Sequence, residues 1–189
     1  MLSITPPQRL LITGGSGYLG RHLARRVTGG AGVFRYTYFS ADPLSLPEGA
    51  ALDLRDGAAV ARFVADFAPD AIIHTAGSNR TPDMTAVIVE GTRHIVAAAE
   101  AVGARLVHLS TDSIFDGTAA PYDETAVAAP LNEYGWAKAA AEALAAAHPD
   151  AVIVRTSLIY GLEEMDNGTA WMATALREGR PVTLFTNQR

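Results

Sequence analysis

Tyr134 and Lys138 form a Y-x-x-x-K pair near the start of a segment with the composition of a helix. Residues four positions apart lie on one face of an α-helix, so the two side chains can reach each other. A nearby ammonium group favours the phenolate, and we therefore expect Lys138 to lower the pKa of Tyr134 towards the working pH. A tyrosine tuned in this way can act as a general acid–base. An exposed Tyr–Lys pair on a helix surface is the alternative for the bare pattern.

A glycine-rich run from Thr13 to Gly20 follows the apolar stretch Leu10–Ile12. Glycines let the backbone turn tightly and approach a ligand without a Cβ in the way. A helix opening near Ser16 would aim free N–H groups and its positive dipole end at an anion. A strand, a glycine-rich turn and a helix in this order are typical of a dinucleotide pyrophosphate site, and a turn that binds no ligand is the alternative.

Ser110, Thr111 and Asp112 follow Leu106–Leu109, which has the pattern of a buried parallel strand. In a doubly wound sheet, ligands bind at the carboxyl ends of the strands, so these hydroxyl groups are candidates for contacting a substrate. The alternative is that they bond nearby backbone groups at the strand end.

Short apolar strands alternate with longer helices along the whole chain, and these elements would position the three candidate segments. This alternation predicts an α/β fold, a doubly wound Rossmann parallel sheet with helices on both faces. The predicted strands are 9–13, 33–38, a short one near 50–54, 71–75, 105–110, 151–156 and a further one at 180–186. The predicted helices are 17–28, 56–67, 84–102, 133–147 and one near 169–178.

The composition bounds the class of protein. A chain of 189 residues that is 49% hydrophobic can bury one sizeable core. The net charge is −5, and Lys and Arg are scattered singly rather than clustered, so we expect no nucleic-acid binding. There is no cysteine, and the five histidines lack a metal-ligand spacing, so we expect no metal. With no apolar run near the ~20 residues of a membrane span, we expect no membrane association and a cytoplasmic location.

Several motifs in register resemble one family, the extended short-chain dehydrogenase/reductases. Within it, the dTDP-4-dehydrorhamnose reductase (RmlD-like) branch carries S-T-D-x-(V/I)-F-D-G, P-Y-x-E, P-L-N-x-Y-G-x-x-K and R-T-S-x-x-Y-G. These motifs are similar to residues 110–117, 121–124, 130–138 and 155–161. Several motifs in the same order are far more specific than any one of them.

The resemblance implies a role for each candidate residue. Tyr134 would protonate a substrate carbonyl oxygen, Thr111 would hydrogen-bond that oxygen, and Lys138 would hold the nicotinamide ribose and lower the tyrosine pKa. In the cofactor site, the glycine run would line the pyrophosphate, Asp53 and Leu54 would flank the adenine, and a third segment would pass along the cofactor. The cofactor-binding residues implied are Gly14, Gly17, Tyr18, Leu19, Gly20, Ser40, Asp53, Leu54, Thr75, Ala76, Gly77, Tyr134 and Lys138.

Packing alternatives remain for some of these positions. Leu19, Leu54 and Ala76 would also suit a core, and Asp53 would also suit a helix cap. His74 and His108, inside strands, are expected to be core residues rather than catalysts.

The cofactor is expected to be NADP, with NAD open. Ser40 stands nearest the place after the second strand where an acid would bind the ribose hydroxyls of NAD. A serine tolerates a 2′-phosphate that an aspartate would repel, although no arginine follows it. Asp42 keeps NAD open.

Three positions depart from the branch pattern. Ile88 stands where many members have an asparagine that supports proton resupply, and Ser113 and Leu158 replace Tyr and Trp on the substrate side. These departures therefore bear on the prediction of a nucleotide-sugar substrate more than on the prediction of a reductase.

The function expected from the resemblance is an NAD(P)H-dependent reductase of a nucleotide-sugar carbonyl, as in dTDP-rhamnose biosynthesis. One alternative is an epimerase or dehydratase on the same scaffold. The other is a non-catalytic cofactor-binding subunit similar to the regulatory subunit of methionine adenosyltransferase. Residues 1–160 would form the NAD(P)-binding domain, and 161–189 would begin a substrate-binding region that looks incomplete. A small-molecule partner is expected, and a homodimer stays open.

Overall fold

The computed structural model describes residues 7–77, 83–161 and 164–184. Its centre is a six-stranded parallel sheet with the strand order β3-β2-β1-β4-β5-β6. The strands are β1 Arg9–Thr13, β2 Val33–Tyr38, β3 Gly49–Ala51, β4 Ala71–His74, β5 Arg105–Thr111 and β6 Ala151–Thr156. This order reverses direction between β1 and β4, as in the doubly wound folds that bind dinucleotides.

Five α-helices connect or follow the strands. They are α1 Tyr18–Val27, α2 Gly57–Phe67, α3 Gly91–Val102, α4 Glu133–Ala146 and α5 Asn167–Arg177. A π-helical turn, Ala86–Glu90, leads into α3, and a 3₁₀ turn, Asp112–Ile114, follows β5. The predicted strands and helices up to residue 178 are confirmed, with ends that differ by a few residues.

Two apolar layers cover the sheet, one on each face. Successive strand residues point to opposite faces, so Leu11 and Ile12, both fully buried, pack into different layers. Leu11 lies with residues of α2 and α3, whereas Ile12 lies with Ala24 of α1. Helices therefore cover both faces of the sheet, which confirms the predicted doubly wound architecture.

The strand predicted at 180–186 is wrong over the part that the structure describes. Residues 180–184 follow α5 without strand structure, and residues 185 and 186 lie outside the described ranges. Val182 and Thr183 have high β-propensity. Propensity alone does not form one, because a strand is stabilised by pairing with a neighbour.

Among the helices of the three described ranges, none combines the length and the apolar character needed to cross a membrane.

Candidate functional site

The glycine-rich turn lies where β1 ends and α1 begins. Gly14 has a φ of +75°, and a Cβ at this position would lie 2.7 Å from the backbone of Ala76, which follows β4. A Cβ on Gly20 would overlap the carbonyl of Gly14. Gly17 precedes α1 without a side-chain cap, so the first N–H groups of the helix face the turn without a capping side chain. The turn thus needs glycine for close packing and presents a helix N-terminus to an anion.

A cavity of about 500 Å³ opens beside this turn, at the carboxyl ends of β1 and β4, between which the strand order reverses. Its volume falls within the ~300–1,000 Å³ of small-molecule sites, and its place is the one at which doubly wound sheets bind ligands. Seven of the predicted cofactor-binding residues line it: Gly14, Gly17, Asp53, Leu54, Thr75, Ala76 and Gly77.

Six predicted cofactor residues do not line this cavity; Tyr134 and Lys138 are described below with α4, and the other four are Tyr18, Leu19, Gly20 and Ser40. Tyr18 and Leu19 line a second cavity of about 360 Å³, together with residues 159–161 and Glu164. The Tyr18 hydroxyl donates a hydrogen bond of 2.7 Å to the carbonyl oxygen of Glu164. Gly20 is buried in α1, and the exposed Ser40 does not line the 500 Å³ cavity. The pyrophosphate and ribose roles predicted for these four residues therefore stay predictions.

A charged cluster that the sequence did not reveal lines one end of the 500 Å³ cavity. Arg55 donates hydrogen bonds from Nε and Nη2 to Asp53 and from Nη1 to Asp83. Hydrogen bonds from Arg55 hold the pKa of Asp53 below its usual range. Asp53 is not the cap of α2, because Asp56 accepts the capping hydrogen bond from the N–H of Ala59.

The helix α4 carries Tyr134 and Lys138, and two residues fix where it begins. The Asn132 side chain accepts a hydrogen bond of 2.8 Å from the N–H of Gly135 and so caps the helix. A Cβ on Gly135 would lie less than 3.0 Å from the carbonyl oxygen of Ser113. Gly135 therefore lets the first turn of α4 pack directly on the turn that follows Thr111.

The side chains of Thr111 and Tyr134 lie next to each other as a result. Burial raises the pKa of Tyr134 above 10.0, an effect that hydrogen bonding to Thr111 opposes and the charge of Asp112 reinforces. The expected lowering by Lys138 is therefore wrong for this geometry. The physical reason is the direction of the lysine: its Nζ donates to the carbonyl oxygen of Leu109 in β5.

Lys138 is only 5% exposed, and this burial lowers the pKa of its ammonium group to about 8, against a smaller opposite effect of Glu142. Tyr134, Lys138 and Thr111 do not line the 500 Å³ cavity, although β5 is the strand next to β4 at whose end that cavity lies.

His74 and His108 are fully buried in the sheet, as expected of core residues, but only His74 is hydrogen-bonded as such a residue should be. Within the described residues, neither ring nitrogen of His108 has a hydrogen-bond partner. Thr92 Oγ1 donates 2.6 Å to the carbonyl oxygen of Ile88, so it must accept from His74 Nε2–H at 3.0 Å. His74 Nδ1 then accepts from the Thr13 hydroxyl at 2.6 Å. This buried chain joins the glycine-rich turn to the π-helical turn. Burial keeps the pKa of His74 well below its usual range, consistent with the neutral ring that the chain requires.

Comparison with known proteins assigns the family. Residues 8–189 match the family described as RmlD substrate binding domain. The chain belongs to this RmlD family. It is 33% identical over 164 residues to methionine adenosyltransferase 2 subunit beta of Xenopus laevis, covering 82% of this chain and 48% of that protein. It is 38% identical over 178 residues to dTDP-4-dehydrorhamnose reductase of Streptomyces griseus, covering 85% of this chain and 53% of that protein.

A solved structure supports the same RmlD assignment. The dTDP-4-dehydrorhamnose reductase of Bacillus anthracis, in complex with NADP, matches with a TM-score of 0.77 and 29% identity. The match covers 93% of this chain and 62% of that one. This RmlD-family chain thus spans about half the length of the curated relatives it matches.

The three departures from the RmlD-like pattern have distinct surroundings. Ile88 is fully buried beside Ala137 and Ala141, with Tyr134 partly buried against the same cluster. The backbone N–H of Ser113 donates 3.2 Å to the hydroxyl of Thr111. Leu158 is 70% exposed. Ile88 therefore contributes to apolar packing, whereas the backbone of Ser113 helps to hold the Thr111 hydroxyl in place.

Proposed function

We propose that this chain is the cofactor-binding part of an NADP(H)-dependent reductase acting on the carbonyl group of a nucleotide sugar. The observation that carries the proposal is the 500 Å³ cavity at the strand-order reversal, lined by seven of the residues predicted to bind a dinucleotide. The relatives named dTDP-4-dehydrorhamnose reductase support the substrate class. Residues 1–160 would bind the cofactor, and 161–189 would begin the substrate-binding region.

The residues present fit a dinucleotide. A Cβ on Gly14 or Gly20 would fill the tight turn, and the N-terminus of α1 offers N–H groups suited to a pyrophosphate. NADP is the expected form, supported by the Bacillus anthracis reductase that was solved with it. NAD stays open.

The proposed reaction is the reduction of a carbonyl to an alcohol, in which the bound reduced nicotinamide supplies a hydride. Tyr134 gives its phenolic proton to the carbonyl oxygen. The raised pKa of Tyr134 keeps it protonated at neutral pH, which is the state that a general acid needs. Thr111, next to Tyr134, hydrogen-bonds the same oxygen. Lys138 would hold the nicotinamide ribose, and its pKa of about 8 leaves most of its charge in place at neutral pH.

The test is turnover of dTDP-4-dehydro-6-deoxymannose by the purified protein, followed as loss of NADPH absorbance. We expect Tyr134→Phe to lower kcat by about 10²–10⁴-fold, the usual contribution of a general acid, while NADPH binding is kept. Tyr122→Phe is the matched control, because it removes a phenolic hydroxyl from the loop after β5. Unchanged turnover by Tyr134→Phe would refute the role of this tyrosine.

A second candidate function is a non-catalytic cofactor-binding subunit. The similarity to methionine adenosyltransferase 2 subunit beta and the apolar Ile88 favour it. In that case the protein binds NADPH, does not oxidise it with the sugar nucleotide, and forms a stoichiometric complex with a methionine adenosyltransferase catalytic subunit in light scattering.

The cytoplasmic location and the homodimer stay predictions.

A further inference from the structure

In doubly wound folds, residues at the end of β2 distinguish the 2′-hydroxyl of NAD from the 2′-phosphate of NADP. The acidic residue near this place, Asp42, binds other groups. Asp42 accepts a hydrogen bond of 2.7 Å from the Tyr36 hydroxyl and one of 3.1 Å from the N–H of Leu44. It does not line the 500 Å³ cavity, and neither does Ser40. Phe39, which directly follows β2, does line it. A charged side chain that recognises the 2′-substituent of the ribose would therefore have to come from another element.

Arg55 reaches this place from the turn between β3 and α2. Its guanidinium carbon lies 5.2 Å from the centre of the Phe39 ring, so the charged group lies beside the end of β2. Both residues line the same cavity. In NADP-binding proteins of this architecture, an arginine near this position accommodates the 2′-phosphate.

The two carboxylates bound to Arg55 hold it unequally. Asp53 takes a two-pronged contact, 3.0 Å from Nε to Oδ1 and 2.8 Å from Nη2 to Oδ2. Asp83 takes a single contact, 2.7 Å from Nη1, and its side chain is 64% exposed, compared with 36% for Asp53. An exposed monodentate ion pair is weak in water, whereas a bidentate pair is stronger and fixes the plane of the guanidinium. Asp83 is therefore the partner that another anion can replace.

We propose that Arg55 selects NADP(H) over NAD(H), and that Asp83 occupies the position of the 2′-phosphate on Nη1 when no cofactor is bound. This inference rests on the proposed function, because it assigns the specificity of the same cavity. Asp53 holds the Nε–Nη2 edge of the Arg55 guanidinium in a fixed plane, which leaves the charged Nη1 group for a phosphate oxygen. Asp83 competes with the phosphate and so weakens NADPH binding but not NADH binding.

The experiment measures the Kd of NADPH and of NADH for the whole chain by fluorescence titration. We expect Asp83→Asn to tighten NADPH binding about 3–10-fold, because the variant removes a competing charge of the same sign at an exposed site. NADH binding should stay within about twofold. Arg55→Gln should lower the preference for NADPH over NADH by at least about tenfold, because a charged hydrogen bond to the phosphate is lost. Glu100→Gln, on the exposed face of α3, is the control for a general change of charge.

The outcomes separate the inference from the proposed function. If the wild type binds both dinucleotides and Asp83→Asn leaves their ratio of Kd values unchanged, the inference is overturned while the proposed function stands. An equal gain from Glu100→Gln also overturns it, because the effect is then not local. If the wild type binds neither dinucleotide, the proposed function fails, and the inference fails with it.

Discussion

Replacing Gly135 by alanine tests whether close packing positions the two reactive side chains. A Cβ at this position would lie less than 3.0 Å from the Ser113 carbonyl oxygen and 2.8 Å from the Cβ of Pro130. The first turn of α4 would have to move away from the turn after β5. In an open helix, alanine is more favourable than glycine by ~1 kcal/mol, whereas overpacking costs ~1–3 kcal/mol. We therefore expect Gly135→Ala to lower the free energy of unfolding by up to ~2 kcal/mol.

The same movement would separate Tyr134 from Thr111. A displacement of ~1 Å in a reacting group can cost ~10²-fold in rate, so kcat should fall by up to this factor. The Kd of NADPH should change little, because the 500 Å³ cavity is lined by other elements. Urea unfolding, NADPH titration and reductase turnover together measure the three effects.

Gly168→Ala is the matched control, because Gly168 also lies in the first turn of a helix, α5, after a capping aspartate. A Cβ there would lie 3.1 Å from Oδ1 of Asp166, a side-chain atom that can shift. The free energy of unfolding of this variant should lie within ~1 kcal/mol of the wild-type value. It should exceed that value if the preference of the helix for alanine dominates. If Gly135→Ala is as stable and as active as Gly168→Ala, the argument from packing is refuted.

Three further variants, at the two buried positions Lys138 and Thr92, are tested by urea unfolding. Because the pKa of Lys138 is about 8 when folded and ~10.4 when unfolded, the unfolded chain binds more protons between these values. The wild type should therefore gain ~2 kcal/mol of unfolding free energy relative to Lys138→Met as the pH rises from ~8 to ~10. A difference that does not change with pH would contradict the burial of a charged amine. Thr92→Val leaves the His74 Nε2–H without an acceptor and should cost ~1–3 kcal/mol, whereas Thr92→Ser keeps the hydroxyl and should cost ~1 kcal/mol or less. Equal losses for the two Thr92 variants would show that the hydroxyl does not matter.

The elements that could be predicted from the sequence are those marked by a run of residues of one kind. Short apolar runs marked the strands, and because such strands are buried on both sides, Leu11 and Ile12 pack on opposite faces of the sheet. The π-helical turn at Ala86–Glu90 was not predicted, because its i→i+5 bonding leaves no distinct hydrophobic period within a longer helix. Residues 180–184 carry strand propensity without forming a strand, because pairing is a tertiary property.

The charged cluster shows a different limit of sequence reasoning. Asp53 and Arg55 are close in the chain, but Asp83 lies 28 residues after Arg55 and meets it only through the fold. Phe39 belongs to a third segment. No local pattern connects these positions. No arginine directly follows Ser40, whereas the guanidinium of Arg55 reaches the end of β2 from the connection between β3 and α2.

Most of the predicted glycine-turn and strand-end residues line the 500 Å³ cavity, whereas the predicted lowering of the Tyr134 pKa by Lys138 is not found, and the reason for this difference is physical. Gly14 is required by the approach of one backbone to another, so its position follows from the turn and the strands alone. The effect of Lys138 on Tyr134 depends instead on where a long side chain points. A spacing of four residues brings the two side chains within reach, but the direction of the ammonium is set by the carbonyl of Leu109 in another element. Backbone-defined sites can thus be predicted from sequence, whereas a pKa depends on side-chain directions and burial that only the fold decides.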